Sequence, residues 1–472
     1  MSKKKKNIQL ELKIEKLAFE GFGIARNEEL VYFVKNAIPG DTVLANVTKK
    51  RKNYAEANTL EVLEKSSDRI EPICKYFNDC GGCTLQSMNY SEQIYWKKQF
   101  VVEALQRIGK ITDANIEDTL AAPQVFNYRN KMEFSFSAQR WLNIDEIAGE
   151  NDILQKDFAL GLHTPKNYMK VIDIDKCWIQ QDTANIILNI ARDLALDMGI
   201  TAFHSHIHEG FLKNLVIRYS RLENEFLVIL ITNRPTVNAE EEFVSKLYEK
   251  VTSQVKNTSS FLWGVNSTLS PLAQGEIVFK KGKGYLTEEI LGIKFQISPF
   301  SFFQTNPTQL NNFISLILEK AELKPTDFVI DLYCGAGSIT LPAAKKVEKI
   351  VGFELVQSAV SDAKMNAQLN NIENAEFYVA DLHAKETPDL LKQFPTPDVL
   401  LIDPPRAGMH KNLVQHIIEI KPKNIIYVSC NPATQARDMI LLKEFYEIES
   451  CTPVDMFPQT YHTESVAKLI LK

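Results

Sequence analysis

The chain has 472 residues, 45% of them hydrophobic and 24% charged, with 54 basic against 59 acidic side chains and a net charge of −5. That length exceeds one core and predicts two to four domains. No apolar run reaches the roughly 18 to 20 residues that span a bilayer, and Lys3 to Lys6 lead into the mixed Asn7-Ile8-Gln9-Leu10-Glu11 rather than an apolar leader, so a cytoplasmic protein without a membrane partner is expected.

The acidic balance argues against nucleic-acid binding through overall charge and leaves room for a local basic groove. Seven cysteines, an odd number in a large chain, argue against a disulfide framework and point to metal ligation or nucleophilic chemistry. Residues 1–66 read as a small β-barrel. The alternating runs Ile8 to Ile14, Leu30 to Val34 and Thr42 to Val47 are punctuated by Gly21, Gly23, Pro39 and Gly40. From Met1 to Ile70 there are 14 Lys or Arg against 10 Asp or Glu, and Lys49-Lys50-Arg51-Lys52 beside Tyr54 suits a phosphate backbone as well as a solvated loop.

Residues 67–307 open with three cysteines, Cys74, Cys80 and Cys83, followed by a helical stretch from Ser91 to Ile108. Strand-like runs such as Lys131 to Phe136 and Phe226 to Ile231 then predict a mixed α+β domain, with the acidic Leu142 to Lys156 as a surface insertion. Cys177 supplies a fourth thiol, and four thiolates suit either zinc or an iron–sulfur cluster.

Residues 308–472 alternate strand and helix, with apolar β-branched runs at Asp327 to Leu332, Val347 to Glu354, Ala375 to Ala380, Asp398 to Asp403 and Asn424 to Ser429. This predicts an α/β, doubly wound and largely parallel sheet whose ligand sits beyond the carboxyl ends of the strands. The first of these strands runs into Tyr333-Cys334-Gly335-Ala336-Gly337-Ser338, where two glycines permit a tight turn against a ligand. Glu354 follows Asp331 by 23 residues, at the end of the second strand, where a carboxylate can bind ribose hydroxyls; Asp381 at the third suits an adenine amino group. Thr340 replaces the third glycine of a dinucleotide fingerprint, which counts against NAD. Loop, acid and acid in register resemble the Rossmann-like methyltransferases that bind S-adenosylmethionine.

Two further strand tips carry reactive groups. One is Asp403-Pro404-Pro405-Arg406 and the other Ser429-Cys430-Asn431-Pro432, where Asn431 can cap a helix beginning at Pro432. A thiol just before a helix N-terminus gains thiolate character, so Cys430 is a candidate nucleophile, although a free cysteine is also a common buried residue. His462 and Glu464 lie just before a terminal strand, Val466 to Leu471, and either suits a general base.

With Ser301-Phe302-Phe303-Gln304-Thr305-Asn306, these motifs resemble the RNA (uracil-5-)-methyltransferase family. The resemblance implies Cys430 as nucleophile and Glu464 as proton acceptor, with Gln304, Tyr333, Ser338, Glu354, Asp381 and Asp403 lining the S-adenosyl-L-methionine pocket. Phe302 becomes a candidate platform for a flipped base, with core packing the alternative for Phe302 and Phe303. The cysteine knot resembles that of the branch acting on 23S ribosomal RNA, which implies a 4Fe-4S cluster on Cys74, Cys80, Cys83 and Cys177. It also implies an OB-like TRAM barrel at the N-terminus and a monomer, the transfer-RNA branch being expected to lack both knot and barrel. Two other readings are an N-methyltransferase using the Asp-Pro-Pro turn, disfavoured by Arg406 where such turns place an aromatic residue, and a non-catalytic ribosome assembly factor.

Overall fold

The computed structural model describes residues 8–143, 146–147, 156–165, 167–269, 272–384 and 390–472. Lys3 to Lys6 and most of the acidic segment Leu142 to Lys156 lie outside them. Among the described residues no helix is long and apolar enough to cross a membrane.

The N-terminal strands Gln9–Lys13, Lys16–Leu17, Gly23–Asn27, Leu30–Lys35, Thr42–Lys50 and Tyr54–Glu64 form one six-stranded sheet. Alternate side chains, among them Leu12, Ile14, Ala25, Tyr32, Val34, Val43, Ala45, Ala55 and Ala57, fill a single core. The pairing of the two longest strands shifts register three times, the kind of irregularity that bends a strand around a small interior. Small alanines at four inward positions suit that tight curvature.

The central seven-stranded sheet runs in the order Asn167–Asp173, Ala159–Thr164, Lys131–Ser137, Leu212–Ser220, Glu225–Thr232, Thr258–Val265 and Glu276–Gly282. Helices Asp182–Asp197 and Asn238–Gln254 bury their apolar stripes on one face of it. On the other face Val216, Leu227, Ile229, Ile231 and Leu262 meet Leu286 of a hairpin, Leu286–Ile290 with Ile293–Ile297, that leads into the Ser301 to Asn306 segment. Covering both faces explains why Phe226 to Ile231, within strand Glu225–Thr232, is an unbroken apolar run rather than an alternating one.

The C-terminal sheet orders its strands Ala375–Val379, Lys349–Glu354, Phe328–Leu332, Val399–Ile402, Asn424–Ser429, Glu464–Leu471, Tyr446–Val454 and Asn115–Ile116. The first five are mutually parallel, so the doubly wound expectation holds there, and the carboxyl ends at residues 332, 402 and 429 sit side by side. The sixth strand, Glu464–Leu471, runs antiparallel to its neighbour. Strand Tyr446–Val454 has no clear apolar signature in sequence, because Ser450 and Thr452 are polar, yet both are buried.

The helix expected from Ser91 to Ile108 spans Tyr90–Arg107, capped by the Asn89 side chain on the Glu92 N–H at 2.9 Å. It bridges two bodies: Trp96 and Phe100 cluster with Leu17 and Ile38 of the barrel, while Val101, Ala104 and Leu105 join the core of the C-terminal sheet.

Candidate active site

Parallel strands that end together present their loops at one edge, and four loops carry the candidate residues there. In the Tyr333 to Ser338 turn, φ is +66° at Tyr333, +55° at Gly335 and +86° at Gly337. A Cβ at Gly335 would meet nothing within 4 Å, so the turn faces open space. The Gly335 N–H donates to Glu354 Oε2 at 3.1 Å and the Val356 N–H to Oε1 at 2.8 Å, which fixes the Glu354 carboxylate at the rim of the turn.

Below the turn, Asp331 is buried and accepts from Thr340 Oγ1 at 2.6 Å, which gives Thr340 a reason to stand where a fingerprint would have glycine. Burial, with Asp403 and Glu354 nearby, pushes Asp331 up to about 7. Two buried oxygens in this region have no partner, Asp331 Oδ1 and the Tyr333 hydroxyl. A buried polar atom without a partner is costly, and the Tyr333 hydroxyl marks where a polar ligand would be received. Asp381 is exposed beyond the third strand, with Oδ1 accepting from the His383 N–H at 2.9 Å, and Ser338 is half-buried at the end of the turn.

Gln304 belongs to a loop that is clamped from two sides. The buried Arg218 of the central sheet donates through Nη1 to the carbonyls of Ser298 and Pro299, both at 2.8 Å, and through Nη2 to Ser301 at 3.0 Å. Asp362 accepts from the hydroxyls of Ser298, at 2.8 Å, and Ser301. Asn306 caps the following helix, Pro307–Ala321, and donates to the Met456 carbonyl at 2.9 Å. The two phenylalanines separate: Phe303 is core, 4% exposed, whereas Phe302 is 71% exposed at the tip of this held loop.

The nucleophile and base candidates are brought together by strand register. Antiparallel pairing sets Ser429 opposite Ser465, so one step beyond it Cys430 faces Glu464, although 34 residues separate them in sequence. Asn431 caps helix Pro432–Leu442 as expected, accepting from the Ala433 N–H at 3.1 Å, and its amide also donates to the Arg406 carbonyl at 3.2 Å, stitching the two strand tips together.

The expected lowering of the Cys430 thiol does not prevail in the ligand-free chain. Burial, then the charges of Glu464 and Asp403, push it up to about 11 against the opposing pull of Arg406. Burial raises Asp403 to about 7; burial and Asp403 raise Glu464 to about 8, while Arg406 and Lys97 pull it back. His462 moves the other way, to about 4, through burial and the cations Arg406, Lys97 and Arg129, with Arg406 Nη2 at 3.3 Å from both ring nitrogens. Arg406, noted in sequence only as a departure from another turn, is therefore the cation shared by thiol, acid and imidazole.

The four knot cysteines line one cavity with Tyr76, Phe77, Gln86, Leu162 and Trp178. Burial pushes Cys80 up to about 12 and raises Cys74, Cys83 and Cys177, with neighbouring thiols adding to the rise at Cys80, Cys83 and Cys177 and Asp175 at Cys74. Four soft thiol donors on one cavity are the ligand type of zinc and of iron–sulfur clusters alike. Among the described residues, no three His, Cys, Asp or Glu side chains are placed to hold a single metal ion. Of the other cysteines, Cys334 is buried beneath the turn and Cys451 is buried with Sγ 3.0 Å from Ser465 Oγ.

A parallel sheet with a glycine turn, an acid at the next strand end and clustered reactive tips defines a Rossmann-like methyltransferase. A family model described as tRNA (Uracil-5-)-methyltransferase matches residues 220–472, and a TRAM domain model matches residues 3–60. A Bacteroides thetaiotaomicron protein named as an RNA methyltransferase is 39% identical, covering 97% of this chain and 100% of its own; one from Chlorobaculum tepidum is 39% identical over 91% and 89%. The crystal structure of Pyrococcus abyssi tRNA (uracil-54, C5)-methyltransferase with S-adenosyl-L-homocysteine superposes with a TM-score of 0.74 at 27% identity, covering 98% of this chain and 100% of that one. The chain belongs to the uracil-5 RNA methyltransferase family, with an N-terminal TRAM domain. One expectation needs correction: a transfer-RNA enzyme matches 98% of this chain, so the N-terminal barrel does not separate ribosomal from transfer-RNA specificity.

The unpartnered Tyr333 hydroxyl yields a direct test. Tyr333→Phe should leave the thermal midpoint of the ligand-free protein within a degree or two and weaken S-adenosylhomocysteine binding about five- to tenfold by calorimetry, roughly the 1 to 1.5 kcal/mol of one hydrogen bond.

Proposed function

We propose that the chain methylates C5 of a uridine in 23S ribosomal RNA, acting as a cytoplasmic monomer, through a covalent adduct between Cys430 and C6 of the base. The observation that carries this reading is the pairing register that sets Cys430 opposite Glu464 beside Asp403 and Arg406. S-adenosylmethionine, bound by Tyr333, Ser338, Glu354, Asp381 and Gln304, supplies an electrophilic methyl group. The Cys430 thiolate adds to C6, moving the C5–C6 π pair to C5; C5 takes the methyl as its bond to the donor sulfur breaks, and S-adenosylhomocysteine leaves with that pair. Asp403 and Gln304 assist the uracil. Glu464 then accepts the C5 proton, the C5–C6 double bond reforms, and the pair of the C6–S bond returns to Cys430. His462, pulled to about 4 and facing a guanidinium, is a poorer proton acceptor than Glu464. Phe302, exposed on its clamped loop, suits stacking by the flipped base.

A transfer RNA is the second substrate to test, since the solved structure matching 98% of this chain is a transfer-RNA enzyme. Labelled methyl transfer to 23S transcripts, with no transfer to unmodified transfer-RNA transcripts, is the expected outcome; the reverse pattern would reassign the substrate. With RNA containing 5-fluorouridine, wild type should give a covalent band on a denaturing gel that Cys430→Ala abolishes. With uridine, Glu464→Gln should accumulate the adduct and turn over at least a hundredfold more slowly.

Both the thiol and the acid act in their ionised forms, and both are held above their ordinary values. Turnover should therefore climb with pH between about 6.5 and 8 and fall as pH drops, since protonation disables each group. A flat profile across that range would contradict these assignments.

We also propose that Cys74, Cys80, Cys83 and Cys177 hold a structural 4Fe-4S cluster, supported by the convergence of four thiols on one cavity. Anaerobically purified protein should be brown and contain about four iron and four sulfide per chain. Colourless protein with stoichiometric zinc would refute this.

A further inference from the structure

The connection between strands Tyr446–Val454 and Glu464–Leu471 forms an arm that ends at the proposed base. One ammonium gathers this arm at its neck. Lys97, on helix Tyr90–Arg107, is fully buried, and its Nζ donates to Asp455 Oδ1 at 2.5 Å, the Phe457 carbonyl at 3.1 Å and the His462 carbonyl at 2.9 Å. These use all three donors of an ammonium group. Asp455, also fully buried, accepts from the Tyr90 hydroxyl at 2.9 Å and from the Phe457 N–H at 3.1 Å. One turn before Lys97, Gln93 exchanges hydrogen bonds with Gln459: the Gln459 N–H donates to its Oε1 at 3.0 Å, and its Nε2 donates to Gln459 Oε1 at 3.1 Å.

A buried ion pair is often no more stabilising than well-packed apolar side chains of the same volume, so a lysine here is poorly explained as a stability device. Its three contacts are better explained by where they fall. They tie the first residue of the arm, its third, and the residue two before Glu464 to a single point. We infer that Lys97 is a positioning residue for proton removal: it holds the arm so that Glu464 meets the C5 proton, and it acts on breakdown of the methylated adduct rather than on its formation. This rests on the proposed roles of Cys430 and Glu464. Cys430 is delivered by a different strand and a different helix cap, and none of the three Lys97 contacts is made to either.

The test is a single-turnover experiment with uridine-containing RNA and labelled S-adenosylmethionine, following the covalent band through time. Lys97→Met combined with Asp455→Asn removes both charges and leaves neither unpaired in the core. The double variant should form adduct within threefold of the wild-type rate and break it down at least tenfold more slowly. Tyr90→Phe, which deletes only one hydroxyl, should slow the same step two- to fivefold and covers the case in which the double variant does not fold. Breakdown at the wild-type rate in either variant overturns the inference, and so does a parallel loss of formation and breakdown, which is what a purely structural lysine would give. If neither wild type nor Glu464→Gln shows a covalent band with RNA that accepts methyl, the underlying adduct reading fails and takes the inference with it.

Discussion

The reversal of one strand governs the rest of the site. Five parallel strands deliver loops to a single edge, but parallel neighbours bring together only loops that leave in the same direction. Running Glu464–Leu471 antiparallel beside Asn424–Ser429 instead sets the start of one strand opposite the end of the other, so the residues just outside the last pair, Cys430 and Glu464, confront each other across the ladder. Backbone hydrogen bonds hold this geometry, and a slip of one residue would turn every side chain of the terminal strand to the opposite face.

That proximity has an electrostatic cost. Burial makes ionisation of Cys430, Asp403 and Glu464 harder; Glu464 and Asp403 add to this at Cys430, and Asp403 adds to it at Glu464. Arg406 opposes it for both Cys430 and Glu464, and Lys97 opposes it for Glu464. The protonated forms of all three groups are favoured as a result.

Much of this was legible in sequence because periodicity and punctuation coincide in the C-terminal part. Asn424 to Ser429 is a strand at its foreseen bounds, Asn431 and Pro432 announce a helix start, and the Gly335 and Gly337 turn lies where strand meets helix. What escaped depends on distance in sequence. Ser450 and Thr452 look like surface residues until Asn115–Ile116 and Glu464–Leu471 are seen to flank their strand. Lys97 looks like one more exposed lysine until the chain returns more than 350 residues later with Asp455. Phe302 and Phe303 are indistinguishable as letters, and only the packing of Phe303 against Phe295 beneath the held loop shows which is buried.

The two-residue strand Asn115–Ile116 carries a consequence for how the molecule could be divided. It covers Ser450 and Cys451 at the outer edge of the C-terminal sheet, while Val101, Ala104 and Leu105 close the adjoining core. Cutting the chain near residue 308 would strip both away. The nine-residue strand Tyr446–Val454 would then present open backbone donors and acceptors, a template for pairing with another copy. The catalytic sheet is thus completed by chain made some 330 residues earlier, and during synthesis the N-terminal segments must wait for their partner before either surface is satisfied.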